Sequence, residues 1–285
     1  ETDVVSKQMF YIAIDEDIKD KEQLVLKPEM TAPVVRAYME GGLWRSKPLS
    51  KLYYIDSFFR RERQQKGRRR QFHQFGVEVL GGGYGTDQDA EVILFAWTCM
   101  EKLKIKNKKL VINNIGTIKE RQEWQKELEK YFQKHKEKLS DESKERLQRN
   151  PMRILDSKEK EDQTIIKNAP KIDTVEDYAS NKFKKLKENL EALGIPYQHN
   201  PYLVRGLDYY NGNVFEITTE SNKSQNALCG GGRFDHLVEN MGGKKTSAVG
   251  FAAGIERMID ESDLENENNQ IDAYIVCNGT EYYDK

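Results

Sequence analysis

Cysteine is scarce in this chain, and the three present, Cys99, Cys229 and Cys277, form no CxxC pair. An odd, scattered set fits free thiols in a reducing compartment rather than a disulfide framework or a thiolate metal cluster. The four histidines, His73, His135, His199 and His236, show no HxxxH or HxH spacing, so no metal site built from protein side chains is expected. No apolar run reaches the length of a membrane span, and no signal-peptide pattern follows Glu1. The expected setting is therefore the cytoplasm, away from membranes. Net charge is missing too: 46 basic against 47 acidic residues leave −1, so contact with nucleic acid must come from local basic patches. What the chain does have is 14 Tyr and 11 Phe, which argue for a packed core although 33% of residues are charged. Its 285 residues suffice for one large domain or a core with an inserted subdomain.

Four regions are distinguishable. Residues 1–116 alternate strands and helices, as the first part of a core. The run Gln23–Pro28 predicts a strand stopped by Pro28. Thr31–Gly42 predicts a helix capped by Thr31, with Pro33 in its first turn and Gly41–Gly42 at its end. Lys51–Glu62 and Gln74–Gly81 predict strands, the second with Phe75, Val77 and Val79 on one face and Gln74 and Glu78 on the other. Asp87–Leu103 predicts a helix with an acidic start and a basic end. Residues 117–196 are dense in Lys and Glu and predict a mostly helical insertion. There Trp124, Leu128, Tyr131 and Phe132 fall at helical spacing, and Gly194 stands just past a second helix. Their charge reads as a solvated face, with RNA contact as the other reading. Residues 197–262 return to strands, a glycine loop and a final helix. Residues 263–285 predict a linker and then a strand, Ile271–Val276, with no domain to join, so the chain is expected to be cut short there.

Three stretches carry candidate chemistry. FRRERQQKGRRRQFHQFGVE (Phe59–Glu78) is a hairpin with Lys66–Gly67 at its tip and a loop rich in arginine, including Arg60, Arg61, Arg63, Arg68, Arg69 and Arg70. It reads either as a charged edge or non-specific RNA patch, or as a substrate cleft. In the second case Arg60, Glu62, Gln74 and Glu78 share one sheet face, guanidinium groups meet phosphate, and the deeper carboxylate and amide suit a cationic or amine-bearing substrate.

LVRGLDYYNGNVFEI (Leu203–Ile217) sets Arg205 among core-forming residues, where an unpaired charge would be costly. Asn211–Gly212 is a tight-turn dipeptide. The stretch reads as a polar pocket, or as a structural Arg–Asp pair with core tyrosines. ALCGGGRFDHLVENMGG and SAVGFAAGIERMID (between Ala227 and Asp260) match neither the phosphate-binding P-loop nor the GxGxxG fingerprint. Small residues with an arginine still suit a nucleotide lying against backbone.

Together with LVLKPEMTAPVVRA (Leu24–Ala37) and NPMRILDSK (Asn150–Lys158), these stretches resemble histidyl-tRNA synthetases, a class II aminoacyl-tRNA synthetase family. FRRE and GIER are similar to the second and third class II motifs, and LVRGLDYY is a hallmark of the histidine enzymes. The resemblance implies an α+β fold, an antiparallel sheet flanked by helices with a helical insertion. It implies a homodimer acting on ATP with Mg²⁺, L-histidine and tRNA(His). It places Arg60 and Arg205 at the α-phosphate as catalytic residues, Glu62 and Arg68 at the adenosine and pyrophosphate end, and Arg257 at the γ-phosphate. Glu29 and Thr31 would receive the α-amino group, with Gln74 beside them. Glu78 and Tyr210 would hold the imidazole, and Tyr209 would line the same pocket.

Lys27 and Met30 depart from the family pattern, which commonly has Arg and Gly there, so packing at the amine site is expected to differ. The first class II motif would precede Glu1, and the anticodon-binding domain is only begun. The competing reading is a non-catalytic, synthetase-like regulatory subunit of ATP phosphoribosyltransferase. Such paralogues usually lose the catalytic arginines that this chain retains.

Overall fold

The computed structural model describes residues 8–12, 24–62, 64–65, 67–172, 177–220 and 226–264. The expected strand Ile271–Val276, Cys277, and Arg63 and Lys66 of the hairpin lie outside them. The frame is a seven-stranded sheet. Its strands are β3 (Leu49–Phe59), β4 (Gln71–Gly81), β5 (Lys108–Asn114), β6 (Tyr197–His199), β7 (Asn211–Thr219), β8 (Ala227–Arg233) and β9 (Ala248–Gly254). Their spatial order is β3-β4-β9-β8-β7-β5-β6. Neighbours are antiparallel except β5 and β6, which run parallel. This is the expected α+β fold. Of the strand predicted over Gln23–Pro28, β2 (Val25–Leu26) forms among the described residues, paired separately with β1 (Phe10–Tyr11).

Both sheet faces contribute to a core, because alternate residues along each strand point to opposite sides. On one face Val79, Phe215, Ile217 and Phe251 pack against Ile93, Ala96 and Met100 of α3 (Asp87–Lys102) and Leu186 and Leu190 of α7 (Asp177–Ala192). The other face carries Phe58 and Leu80 under Val34, Val35 and Tyr38 of α1 (Thr31–Glu40). That core continues into the helical region through Trp124, Leu128 and Phe132 of α4 (Ile118–Lys134). Full burial of such side chains contributes about 1.5–3 kcal/mol each.

Beyond α4 come α5 (Asp141–Arg149), a 3-10 turn (Pro151–Asp156) and α6 (Lys160–Ile166). The buried Asp162 carboxylate joins all three. It accepts from the Ser140 N–H (2.9 Å) and from the hydroxyls of Ser140 (2.7 Å), Ser143 (2.6 Å) and Ser157 (2.6 Å). Burial pushes its pKa up, but these hydrogen bonds outweigh burial and hold it below the ordinary carboxylate value.

Three local expectations are corrected. Thr31 does not cap α1. The Glu29 carboxylate does, accepting from the N–H groups of Thr31 (2.8 Å) and Ala32 (3.0 Å), while the Thr31 hydroxyl turns to Glu78 (2.6 Å). A longer acid two residues upstream thus satisfies the orphan donors of the first turn. Asn211–Gly212 is no hairpin turn. It opens β7 beside a bulge, where Gly212, at φ 63°, exchanges backbone bonds with Ile115 and Gly116. Arg233, which follows the glycines, meets no phosphate cleft. It is 1% exposed and bonded to Asp89 at the start of α3 (2.8 Å) and to Asp235 (3.3 Å). Asp235 in turn accepts from the Ala248 N–H (2.8 Å), so the group ties β8, β9 and α3 together.

Truncating one member of a buried ion group strands the others. Arg233→Ala is therefore expected to cost about 3–5 kcal/mol of stability. An unchanged urea midpoint would show that the group adds nothing to the fold.

Candidate functional site

The middle of the sheet carries almost no side chains on the α1 face. Across the strands, Glu216 of β7 stands opposite Gly230, then Ala252 and Gly76, and ends at Tyr54 of β3. The next row runs Gly232, Gly250, Glu78 and Leu52. Charged residues from the flanks lie down on this floor. A Cβ on Gly230 would sit 2.0 Å from Nη2 of Arg205, and one on Gly250 would sit 1.8 Å from Oε2 of Glu78. The glycines are thus required by the side chains crossing them.

A cleft of about 510 Å³ opens above the floor, within the range of small-molecule sites. It gathers six of the predicted site residues: Arg60, Glu62, Arg68, Gln74, Arg205 and Arg257. Arg60 follows the end of β3. Its Nε donates to the Pro28 carbonyl (2.9 Å), and its guanidinium lies 5.1 Å from the Phe72 ring centre. Glu62 and Arg68 pair across the hairpin loop at 2.7 Å. Arg257, from α9 (Ile255–Glu261), donates to the carbonyls of Gly67 (2.9 Å) and Ala227 (2.8 Å), holding the loop tip against the start of β8. Gln74 sits on β4 opposite Gly254. Arg205 pairs with Glu216 at 3.0 Å rather than with Asp208. Burial opposes its charge, but Glu216 and other neighbours outweigh burial and raise its pKa. Cys229, also at the cleft, is a free thiol that burial pushes up to about 12, so it is no nucleophile.

The other five predicted residues, Glu29, Thr31, Glu78, Tyr209 and Tyr210, do not line that cleft. They form a cluster behind it with Tyr54, in which Thr31, Tyr54, Glu78 and Tyr210 are buried and Glu29 and Tyr209 half-buried. Arg60 and Glu29 interact electrostatically across the boundary, as do Arg205 and Tyr210. The Tyr209 and Tyr210 rings stand 4.8 Å apart. Burial raises both phenols, Tyr210 to about 12, and also raises the Glu29 carboxyl. Glu78 is 1% exposed, and its Oε2 has no hydrogen-bond partner. Burial, aided by Glu29 and opposed by the Thr31 hydroxyl, pushes its pKa up to about 8.

Sequence reasoning passed over Glu216 and Tyr54. Glu216 had a signal, being the one charged residue of its strand and standing between Phe215 and Ile217. Tyr54 had none, because only the pairing with Gly76 brings it into the cluster.

Glu78 has a pH consequence. In the folded chain the carboxyl keeps its proton up to about pH 8; unfolded, it would release it near 4.5. Between those values the folded state binds the extra proton, so this group's contribution to stability falls as pH rises. Glu78→Gln is therefore expected to gain stability relative to wild type between about pH 5 and pH 8. A difference in urea midpoint that stays constant across that range would contradict this.

A model of the histidyl-tRNA synthetase family matches residues 2–258. A histidine–tRNA ligase of Hydrogenovibrio crunogenus is 44% identical over 282 residues, covering 98% of this chain and 65% of that protein. The crystal structure of apo S. aureus histidyl-tRNA synthetase superposes with a TM-score of 0.69 at 32% identity, over 93% of this chain and 64% of that one. An ATP phosphoribosyltransferase regulatory subunit/histidyl-tRNA synthetase from Bacillus halodurans C shares the fold at 23% identity, with a TM-score of 0.63 over 93% of this chain and 73% of that one. The chain spans just under two thirds of the first two of these proteins, and it belongs to the histidyl-tRNA synthetase family.

Proposed function

We propose that the chain is the catalytic part of a histidine–tRNA ligase, and the observation that carries this is the buried Glu78 with its unpartnered Oε2 behind an arginine-lined cleft. An imidazole N–H supplies the missing partner, and the Tyr210 phenol serves the second ring nitrogen. The histidine α-amino group goes to Glu29 and Thr31, with Gln74 at the boundary and Tyr209 closing the pocket. The carboxylate then points toward the cleft, where ATP lies on the glycine floor.

In the first step a histidine carboxylate oxygen bonds to the α-phosphorus of ATP. The bond from that phosphorus to the bridging oxygen breaks, and pyrophosphate leaves. Arg60 and Arg205 neutralise the charge growing on the α-phosphate, Arg68 and Arg257 take the β- and γ-phosphates, and Glu62 holds the adenosine side. In the second step a hydroxyl of the 3′-terminal adenosine of tRNA(His) attacks the histidyl carbonyl carbon, and AMP leaves. Positioning and charge neutralisation do the work, without a protein nucleophile. Among the described residues no three His, Cys, Asp or Glu groups converge as a metal site, and Glu62 and Glu216 are committed to arginines. Mg²⁺ enters the reading from the family resemblance alone, as the counter-ion of the ATP phosphates. A homodimer and a cytoplasmic setting rest on the family alone. No helix among the described residues is long and apolar enough to cross a membrane.

The test is histidine-dependent ATP–pyrophosphate exchange on the full-length protein. Exchange above background is expected; none would favour the regulatory-subunit reading. Arg205→Ala should lower exchange at least ~10²-fold while the protein stays folded, since a charge placed at the transition state is worth ~3 kcal/mol. Wild-type exchange in that variant would remove Arg205 from the reaction. Glu78→Gln should weaken histidine binding more than ATP binding by calorimetry, and equal losses would take Glu78 out of the imidazole pocket.

A further inference from the structure

The stretch Asn150–Lys158 resembles the family, yet none of the roles above falls on it. It packs behind residues 203–210, the segment that delivers both Arg205 and Tyr210. That segment has no regular secondary structure before β7 begins at Asn211. Leu203, Val204 and Tyr210 share a core with Met152, Ile154 and Leu155. Beside that contact opens a second cavity of about 600 Å³, bordered by Arg121, Met152, Arg153, Arg205, Leu207 and Tyr210.

Side chains of the helical region reach around that cavity to the segment's backbone. Arg153 donates from Nη1 to the Gly206 carbonyl (2.7 Å). Arg121, on α4, donates from Nη1 to the carbonyls of Asp208 (3.0 Å) and Tyr210. Asn150 donates to the Asp208 carboxylate (3.1 Å) while its own side-chain oxygen caps the 3-10 turn. The anchors are themselves held: Arg146 donates to the Arg153 carbonyl (3.3 Å) and pairs with Glu142 (2.6 Å). In a segment without strand or helix partners, carbonyls tied this way set where the backbone runs. The planar guanidinium makes each tie directional.

We propose that Arg121 and Arg153 are positioning residues for the activation step. By holding the carbonyls of Gly206, Asp208 and Tyr210, they keep the Arg205 guanidinium over Gly230 and the Tyr210 phenol in the Glu78 cluster. This rests on the histidine–tRNA ligase reading. A displacement of about 1 Å at a reacting centre can cost about 10²-fold in rate, so ties remote from the substrates can matter to it.

The experiment is ATP–pyrophosphate exchange on full-length wild type, Arg153→Ala, Arg205→Ala and the double variant. Arg153→Ala should lower kcat about tenfold or more and leave the KM for ATP within about twofold, because it disturbs Arg205 and not the ATP floor. Added to Arg205→Ala it should cause little further loss, since it acts through that residue. Should Arg153→Ala fail to fold, Arg121→Lys carries the same measurement. It keeps the charge but loses the planar guanidinium and the reach that set Nη1 between the two carbonyls, and the same kcat-selective loss is expected. Losses that multiply in the double variant, a KM for ATP that rises as kcat falls, or wild-type kinetics in the single variants would overturn the positioning role alone. Wild type without exchange would overturn the ligase reading and this inference with it.

Discussion

The structure depends on a sheet whose centre is bare. Gly230, Gly232, Gly250, Gly76 and Ala252 occupy consecutive strands on one face, and the contacts above them are too close for a larger residue at the glycines that matter most. That bareness lets Arg205 and Glu78, which approach from opposite flanks, lie flat instead of standing up. It has an energetic cost: five small residues contribute little hydrophobic burial where a sheet would ordinarily bury most. The other face offsets this, with Phe215, Phe251, Val79 and two helices packed onto the same strands.

Charge is arranged around that floor in two environments. The cleft cations are paired or directed by backbone: Arg205 with Glu216, Arg68 with Glu62, Arg257 on two carbonyls, Arg60 on one. The cluster behind it is the reverse. Two carboxyl groups and three phenols share a poorly solvated space in which burial makes every ionisation harder, and the charge of neighbouring groups adds to this at Glu78 and the phenols. A polyanion suits the first environment and a basic ring the second, and the join between them falls between Arg60 and Glu29 on one side and Arg205 and Tyr210 on the other.

How much of this was legible in the chain depended on whether the deciding contact was local. Alternation along β4 correctly separated Phe75, Val77 and Val79 from Gln74 and Glu78. The helices over Asp87–Lys102 and Asp177–Ala192 lie where their composition and Gly194 placed them. Local rules failed where a distant group competed. Thr31 has the chemistry of an N-cap, but Glu29 took the role once Glu78 claimed the hydroxyl. Asn211–Gly212 has the composition of a turn, but pairing with Ile115 and Gly116 drew it into a bulged strand. Arg205 and Arg233 looked alike as cations near glycines. Only the register of β7 with β8, and the arrival of α3, set one over the floor and buried the other beneath it. The family resemblance supplied what spacing could not, namely which of many arginines to consider together.

The bare floor also inverts the usual scale of substitutions. On most surfaces a glycine-to-alanine exchange in a strand is among the mildest changes, and in an extended backbone it is often favourable. At Gly230 or Gly250 the added methyl would occupy the place of a guanidinium or carboxylate atom. The gentlest replacement by chemistry is then more disruptive than many changes of charge on the rim. Variation in this family should accordingly be judged by free space above the backbone before it is judged by similarity of side chains.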